Sequence, residues 1–206
     1  MTVVRLSLTI AATLVCTQMA LAAEDFRHTI TGEPLKVMEE SPAEGRDTPA
    51  VKKFLEDGTN LYIENKGCLP KGEEVYLTAC SGCHGHVGEG KLGPGLNDAY
   101  WTYPKNATDK GLFETIFGGA QGMMGPHGNH LELDETLKLI AWIRNIYTGK
   151  TEEAEWLTDE QKKSFKTYTA AHAPESAEAQ AEADKKIAEA AEKKEGGDDQ
   201  CKVSGG

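Results

Sequence analysis

Residues 80 to 84 read CSGCH, and no other stretch restricts the folded form of this chain so tightly. Two thiols three positions apart and an adjacent imidazole suit three chemistries. A thioredoxin-type pair sits at a helix start beside a βαβ pattern, and no such pattern surrounds this motif. A tetrahedral zinc site wants a second ligand pair at similar spacing, whereas Cys16, Cys68 and Cys201 each stand alone. The C-x-x-C-H spelling suits covalent haem: both sulfurs form thioethers with the porphyrin vinyl groups and the next histidine reaches the iron. Two intervening residues let both sulfurs meet one porphyrin edge, and His84 follows with little freedom to swing away. Cys80 and Cys83 are therefore expected to anchor one haem c, with His84 as proximal iron ligand. His86 is expected at the surface.

A haem needs walls and usually a second axial ligand. Downstream, in GEGKLGPGLND (88–98), Pro94 is expected to offer its carbonyl to the Nδ1–H of His84, fixing the ring as outer partners do. The glycines from Gly88 to Gly93 read individually as ordinary surface-turn residues. Leu96, Trp101 and Tyr103 are haem-wall candidates. The other side is expected from GGAQGMMGPHGNH (118–130). A methionine in a loop is usually packing, but Met123 and Met124 stand among glycines with no apolar period around them. Met124 is the first candidate for sixth ligand, Met123 the second and His127 the third, with His130 also within the loop. Methionine ligation raises the reduction potential; a second histidine lowers it.

The core reads as helical, with a period near 3.6 rather than 2. Asp47 is the expected N-cap of a helix through Phe54 and Leu55 that Gly58 stops. A second helix is expected from Lys71 to Cys80, with Val75, Tyr76 and Ala79 on a shared face. A third starts at Asp109, buries Leu112, Phe113 and Ile116, and ends at Gly118-Gly119. The most regular, Asp134 to Tyr147, carries Leu139, Ile140, Ile143, Ile146 and Tyr147 on one stripe. No segment reads as a strand, so the expected class is all-α. Residues 48–149 are the expected haem domain and 23–47 an N-terminal arm lying on the surface. Residues 150–206 are the expected C-terminal extension, partly helical or disordered, with an aromatic cluster at Trp156, Phe165 and Tyr168.

The first 22 residues read as a signal peptide. Arg5 precedes an apolar run from Leu6 to Val15, and Ala20-Leu21-Ala22 is an A-x-A cleavage signal. That run is shorter than the ~18–20 residues of a spanning helix, so no stable membrane insertion is expected. The residues before Cys16 do not resemble a lipoprotein cleavage box. Cleavage leaves 184 of 206 residues, and losing Arg5 takes the net charge from −11 to −12. No basic stripe is present, so nucleic acid is a poor partner; an acidic surface suits either docking on a basic protein partner or solubility alone. With Cys80 and Cys83 consumed by haem, Cys68 and Cys201 remain, and in an oxidising compartment they are expected to pair. One haem, with no evident substrate pocket and no acid/base pair, points to electron transfer. The alternatives are a haem peroxidase using His127 or His130, and a general carrier for another dehydrogenase.

Several stretches carry a resemblance. KGEEVYLTACSGCHG (71–85), GPGLND (93–98), GGAQGMMGP (118–126) and LIAWIRNIY (139–147) are similar to class I cytochromes c. RDTPAVKKFLE (46–56), NDAYWTYP within residues 80–104, GLFETIFGGAQGMMGPH (111–127) and WLTDEQKK (156–163) resemble the cytochrome c-L family in particular. The resemblance spans about residues 27–168 plus QCK at 200–202. It implies a class I cytochrome c fold and a periplasmic location. It also implies electrons received from the quinoprotein methanol dehydrogenase, which holds pyrroloquinoline quinone and calcium, and passed to a smaller cytochrome c. The family's pattern carries Cys80, Cys83 and His84 as haem residues, with Met124 or His127 on the distal side. HGNHLELDE (127–135) departs from that pattern, placing Glu132 where a better N-cap is typical, and the Ala/Glu/Lys tail is longer.

Overall fold

The computed structural model describes residues 25–168 together with Cys201 and Val203. The expected signal peptide and most of the C-terminal extension lie outside the described residues. Among those described, seven α-helices follow in order: α1 Val37–Glu40, α2 Pro49–Asp57, α3 Leu69–Ala79, α4 Ser81–His84, α5 Asp109–Gly118, α6 Leu133–Asn145 and α7 Asp159–Ser164. Short 3₁₀ turns cover Lys66–Cys68, Pro104–Ala107 and Thr151–Glu153. The one β pairing among them is an isolated bridge between Arg27 and Pro34, so the class is all-α. No described helix is long and apolar enough to cross a membrane.

Capping sets the helix starts. The Thr48 hydroxyl accepts from Val51 N at 3.3 Å and opens α2, with Pro49 in the first turn. The cap is therefore Thr48 and not the expected Asp47, which stands one residue too early and meets Lys52 Nζ at 3.5 Å instead. Gly58, at φ 77°, ends the helix. Thr108 caps α5 in the same way, accepting from Gly111 N at 3.1 Å.

The core forms where α3 crosses α6. Gly72 makes the approach possible: a Cβ there would run into the Lys138 carbonyl and stand 3.0 Å from Trp142 Cβ. Tyr76 and Trp142 then pack with ring centroids 4.3 Å apart. Leu112, Phe113 and Ile116 of α5 join Leu139, Ile140 and Ile143 of α6 in the same buried cluster. Each such side chain contributes about 1.5–3 kcal/mol when fully buried. Asp134 ties this body to its neighbours by accepting from the Thr48 hydroxyl at 2.8 Å and the Tyr62 hydroxyl at 2.5 Å. Lys138 Nζ, 2.8 Å away, balances its charge.

The N-terminal arm, expected on the surface, supplies part of the core. Phe26 and Val37 are buried, and the Phe26 ring lies 5.7 Å from Phe54 and 5.2 Å from Phe113. Arg27 N donates to Glu114 at 2.7 Å, and Lys105 pairs with the same carboxylate. Phe26, Ile30, Leu35 and Val37 follow neither a 3.6 nor a 2 period, which is why the burial of Phe26 and Val37 is invisible before folding. At the other end, Tyr147, Trp156 and Phe165 form a second cluster. A Cys68–Cys201 disulfide returns the chain end to the body, where Cys201 and Val203 pack on the main core.

Candidate haem site

α3 ends at Ala79 and the chain bends at Cys80, φ −122°, before the single turn of α4. The Cys80 carbonyl accepts from Cys83 N at 3.1 Å and His84 N at 3.0 Å, so both thiols and the imidazole share one helical turn. Both thiols are free; Cys80 is half-buried and Cys83 exposed. Burial, aided by Cys83, pushes the Cys80 thiol up to about 12. Tyr76 closes the far side by donating its hydroxyl to Gly85 O at 2.7 Å.

The residues after the motif fold back on it. Gly90 N donates to His84 O and Gly93 N to Cys83 O, each at 2.8 Å. This return lays Gly93 against the imidazole, where a Cβ would stand 2.7 Å from His84 Cε1. The surface-turn reading of Gly93 is therefore corrected: a side chain is excluded by close approach to the ring. Gly88 is likewise no plain turn, since its Cβ would meet Ile146 Cδ1 at 2.9 Å. Pro94 O lies 2.8 Å from His84 Nδ1. A carbonyl can only accept, so Nδ1 carries the proton and Nε2 keeps its lone pair for a metal. His86 is half-buried rather than fully at the surface.

A cavity of about 620 Å³ opens beside the motif, a size typical of cofactor sites. Cys80, Cys83 and His84 line it together with Leu96, Trp101 and Tyr103, and Leu112, Ile116 and Ile143 add apolar surface. The loop after α5 contributes Met123, Met124, His127 and His130 to the same cavity. Met124 is half-buried and packs on the core, whereas Met123 is 88 % exposed. His127 Nδ1 is engaged by His130 Nε2 at 3.1 Å. Burial, then His130 and His84, holds the His127 imidazole below the usual histidine range. Cys68 and Cys201 are not among the lining residues. Two free thiols on one turn, an imidazole with a bare nitrogen, a thioether and largely apolar walls fit a covalently attached haem.

Two lining polar residues carry no signal in the motif itself: Asn106 and Thr115. Thr115 Oγ1 donates to Asn106 Oδ1 at 2.7 Å, and Arg144 Nη2 donates to Asn106 O at 2.9 Å. Arg144 is fully buried, pairs with Asp109 at 2.8 Å, and lies 5.1 Å from the Trp101 ring and 4.3 Å from the Trp156 ring. Position 144 falls four residues after Ile140 and three before Tyr147, on the apolar stripe, a spacing visible in the sequence.

Residues 69–143 match the family model described as cytochrome C oxidase, cbb3-type, subunit III. Cytochrome c-L of Methylorubrum extorquens is 64% identical over 143 residues, which are 69% of this chain and 72% of that protein. The crystal structure of cytochrome cL from Hyphomicrobium denitrificans aligns with a TM-score of 0.70 at 59% identity, covering 89% of this chain and all of that one. That of cytochrome cL from the marine methylotrophic bacterium Methylophaga aminisulfidivorans gives 0.68 at 52% identity, covering 71% and 96%. A helical body with this motif facing this cavity is a class I c-type cytochrome, an electron carrier and not an enzyme, with haem c covalently bound. The chain belongs to the cytochrome c-L family.

Proposed function

We propose that the chain accepts single electrons from the quinoprotein methanol dehydrogenase in the periplasm and passes them to a smaller cytochrome c. The observation that carries this reading is the 64% identity to cytochrome c-L. A cleavable signal peptide at 1–22 and the Cys68–Cys201 disulfide suit an oxidising compartment outside the cytoplasm. Within the chain, the organisation is arm 23–47, haem domain 48–149 and extension 150–206, with the arm contributing Phe26 to the core of the haem domain.

Cys80 and Cys83 are the thioether attachment points, His84 the proximal ligand and Met124 the distal one. The haem, when bound, supplies the one-electron ferric/ferrous chemistry; the chain orients it and keeps water from it. Pro94 supports the His84 assignment by holding Nδ1. Met124 is favoured over Met123 by its burial; His127, whose Nδ1 meets His130 while its Nε2 stays available, is the alternative ligand. The net charge, −11 for the full chain and −12 once Arg5 leaves with the signal peptide, supports docking on a basic partner surface, assisted by long-range attraction that salt screens.

The deciding experiment mixes the oxidised protein with purified methanol dehydrogenase and methanol and follows haem reduction. Full reduction at a rate that falls steeply with ionic strength is expected. An unreduced haem overturns the donor assignment, and a rate indifferent to salt overturns the electrostatic part. Met124→Ala should abolish the sulfur-to-iron charge-transfer band at the red end of the oxidised spectrum; its survival overturns the ligand assignment.

A further inference from the structure

We infer that Tyr103 is the positioning residue of the distal loop: its hydroxyl pins the backbone that carries Met123 and Met124 against the haem cavity. This inference rests on the reading that a residue of that loop is the sixth iron ligand.

Residues 119–126 leave α5 and return to it within a few positions. Ala120 N donates to Met124 O at 2.9 Å and Gly125 N to Met123 O at 3.1 Å. At the stem, His127 N and Gly128 N donate to Ile116 O and Phe117 O at 3.1 and 3.0 Å. Gly119, φ +83°, permits the turn, since a Cβ there would stand 2.9 Å from the Gly125 and Pro126 backbone. Each of these contacts joins the loop to itself or to the helix it has just left. Among the described residues, one hydrogen bond reaches 120–125 from elsewhere: Gln121 N donates to the Tyr103 hydroxyl at 3.1 Å.

Tyr103 itself stands on fixed ground. Its carbonyl accepts from Asn106 N at 2.9 Å, opening the 3₁₀ turn at Pro104–Ala107. Asn106 is gripped on its side chain by Thr115 of α5 and on its carbonyl by Arg144 of α6. The hydroxyl is thus the tip of a strut built on two core helices. An exposed loop with few bonds of its own opens at low cost, and a ligand on it is held only as well as its support. A thioether is a neutral, weak ligand, so loop opening governs how often the iron's sixth position is vacated.

The test uses the full-length holoprotein with Tyr103→Phe, which keeps the ring in the cavity wall and removes the hydroxyl. Tyr100→Phe, at a tyrosine 72 % exposed, is the comparison. The quantities measured are the rate of cyanide binding to the ferric protein and the urea unfolding midpoint. Tyr103→Phe should bind cyanide about fivefold faster, the factor for a lost hydrogen bond of about 1 kcal/mol, while Tyr100→Phe matches the parent. A parent-like rate in Tyr103→Phe overturns the inference, as does an equal acceleration in both variants. Acceleration that merely follows a fall in the urea midpoint overturns it too, because general destabilisation then explains it. The ligand reading is judged separately: absence of the charge-transfer band in the parent protein refutes Met124 and leaves the cyanide comparison to judge Tyr103.

Discussion

Arg144 donates from Nε to Asp109 Oδ1 at 2.8 Å in the interior, with its guanidinium carbon 5.1 Å from the Trp101 ring and 4.3 Å from the Trp156 ring. Burial pushes the Asp109 carboxyl up and Arg144 draws it down. Deleting one partner strands the other, which typically costs about 3–5 kcal/mol. Arg144→Ala should lower stability by that order in urea denaturation of the holoprotein. A loss below about 1 kcal/mol would show that Asp109 finds water or another donor once the guanidinium is gone.

Gly93 leaves no room for a side chain beside His84. Gly93→Ala should cost about 1–3 kcal/mol, the range for overpacking, and shift the reduction potential because the imidazole must move. Gly95→Ala is the matched control, since its added Cβ meets nothing closer than 3.5 Å. Equal potentials in the two variants would argue that the ring has slack.

Glu132 occupies the N-cap of α6 without a side-chain cap bond. Burial, then Glu135, Asp134 and Glu44, holds its carboxyl above the ordinary range, with Lys71 opposing. A raised folded-state value means folding favours the protonated form. That contribution is present below about pH 4.3, the ordinary glutamate value, and is lost as pH rises through the folded one. Glu132→Ser should therefore raise stability at neutral pH, by about 1 kcal/mol from the hydroxyl cap together with relief of the repulsion. The gain should shrink on acidification, as thermal melts at pH 7 and pH 4 would reveal; a gain independent of pH would leave only the cap.

The Cys68–Cys201 bond closes a separation of 133 residues. In the chain-entropy model such a link stabilises by about 4–5 kcal/mol at most. Replacing both cysteines by alanine should lower the urea midpoint while leaving the haem absorption spectrum intact, because neither residue lines the cavity. An altered spectrum would mean that the tether reaches the site through the core.

What could be read before folding was periodic or spelled out. The stripe of Leu139, Ile140, Ile143 and Ile146, and the trio Leu112, Phe113 and Ile116, are buried as their spacing required. Pro94, ten residues beyond His84, was legible because an imidazole on a metal needs an acceptor for its second nitrogen. The hidden parts are those whose role depends on distant partners. Phe26 has no apolar neighbour in sequence and finds two rings only in space. Arg144 bears a charge that normally marks a solvent face, so its burial awaited Asp109, 35 residues away. Gly93 looked like turn chemistry because nothing local reveals that an imidazole will lie on it.

The same cystine has a consequence for maturation order. A chain made from its amino end presents Cys68, Cys80 and Cys83 long before Cys201, so the earliest available oxidation partners are the wrong ones. Four thiols allow three connectivities; two that are already spent on porphyrin allow one. Haem attachment at Cys80 and Cys83 therefore leaves the Cys68–Cys201 pairing as the single connectivity open to the other two.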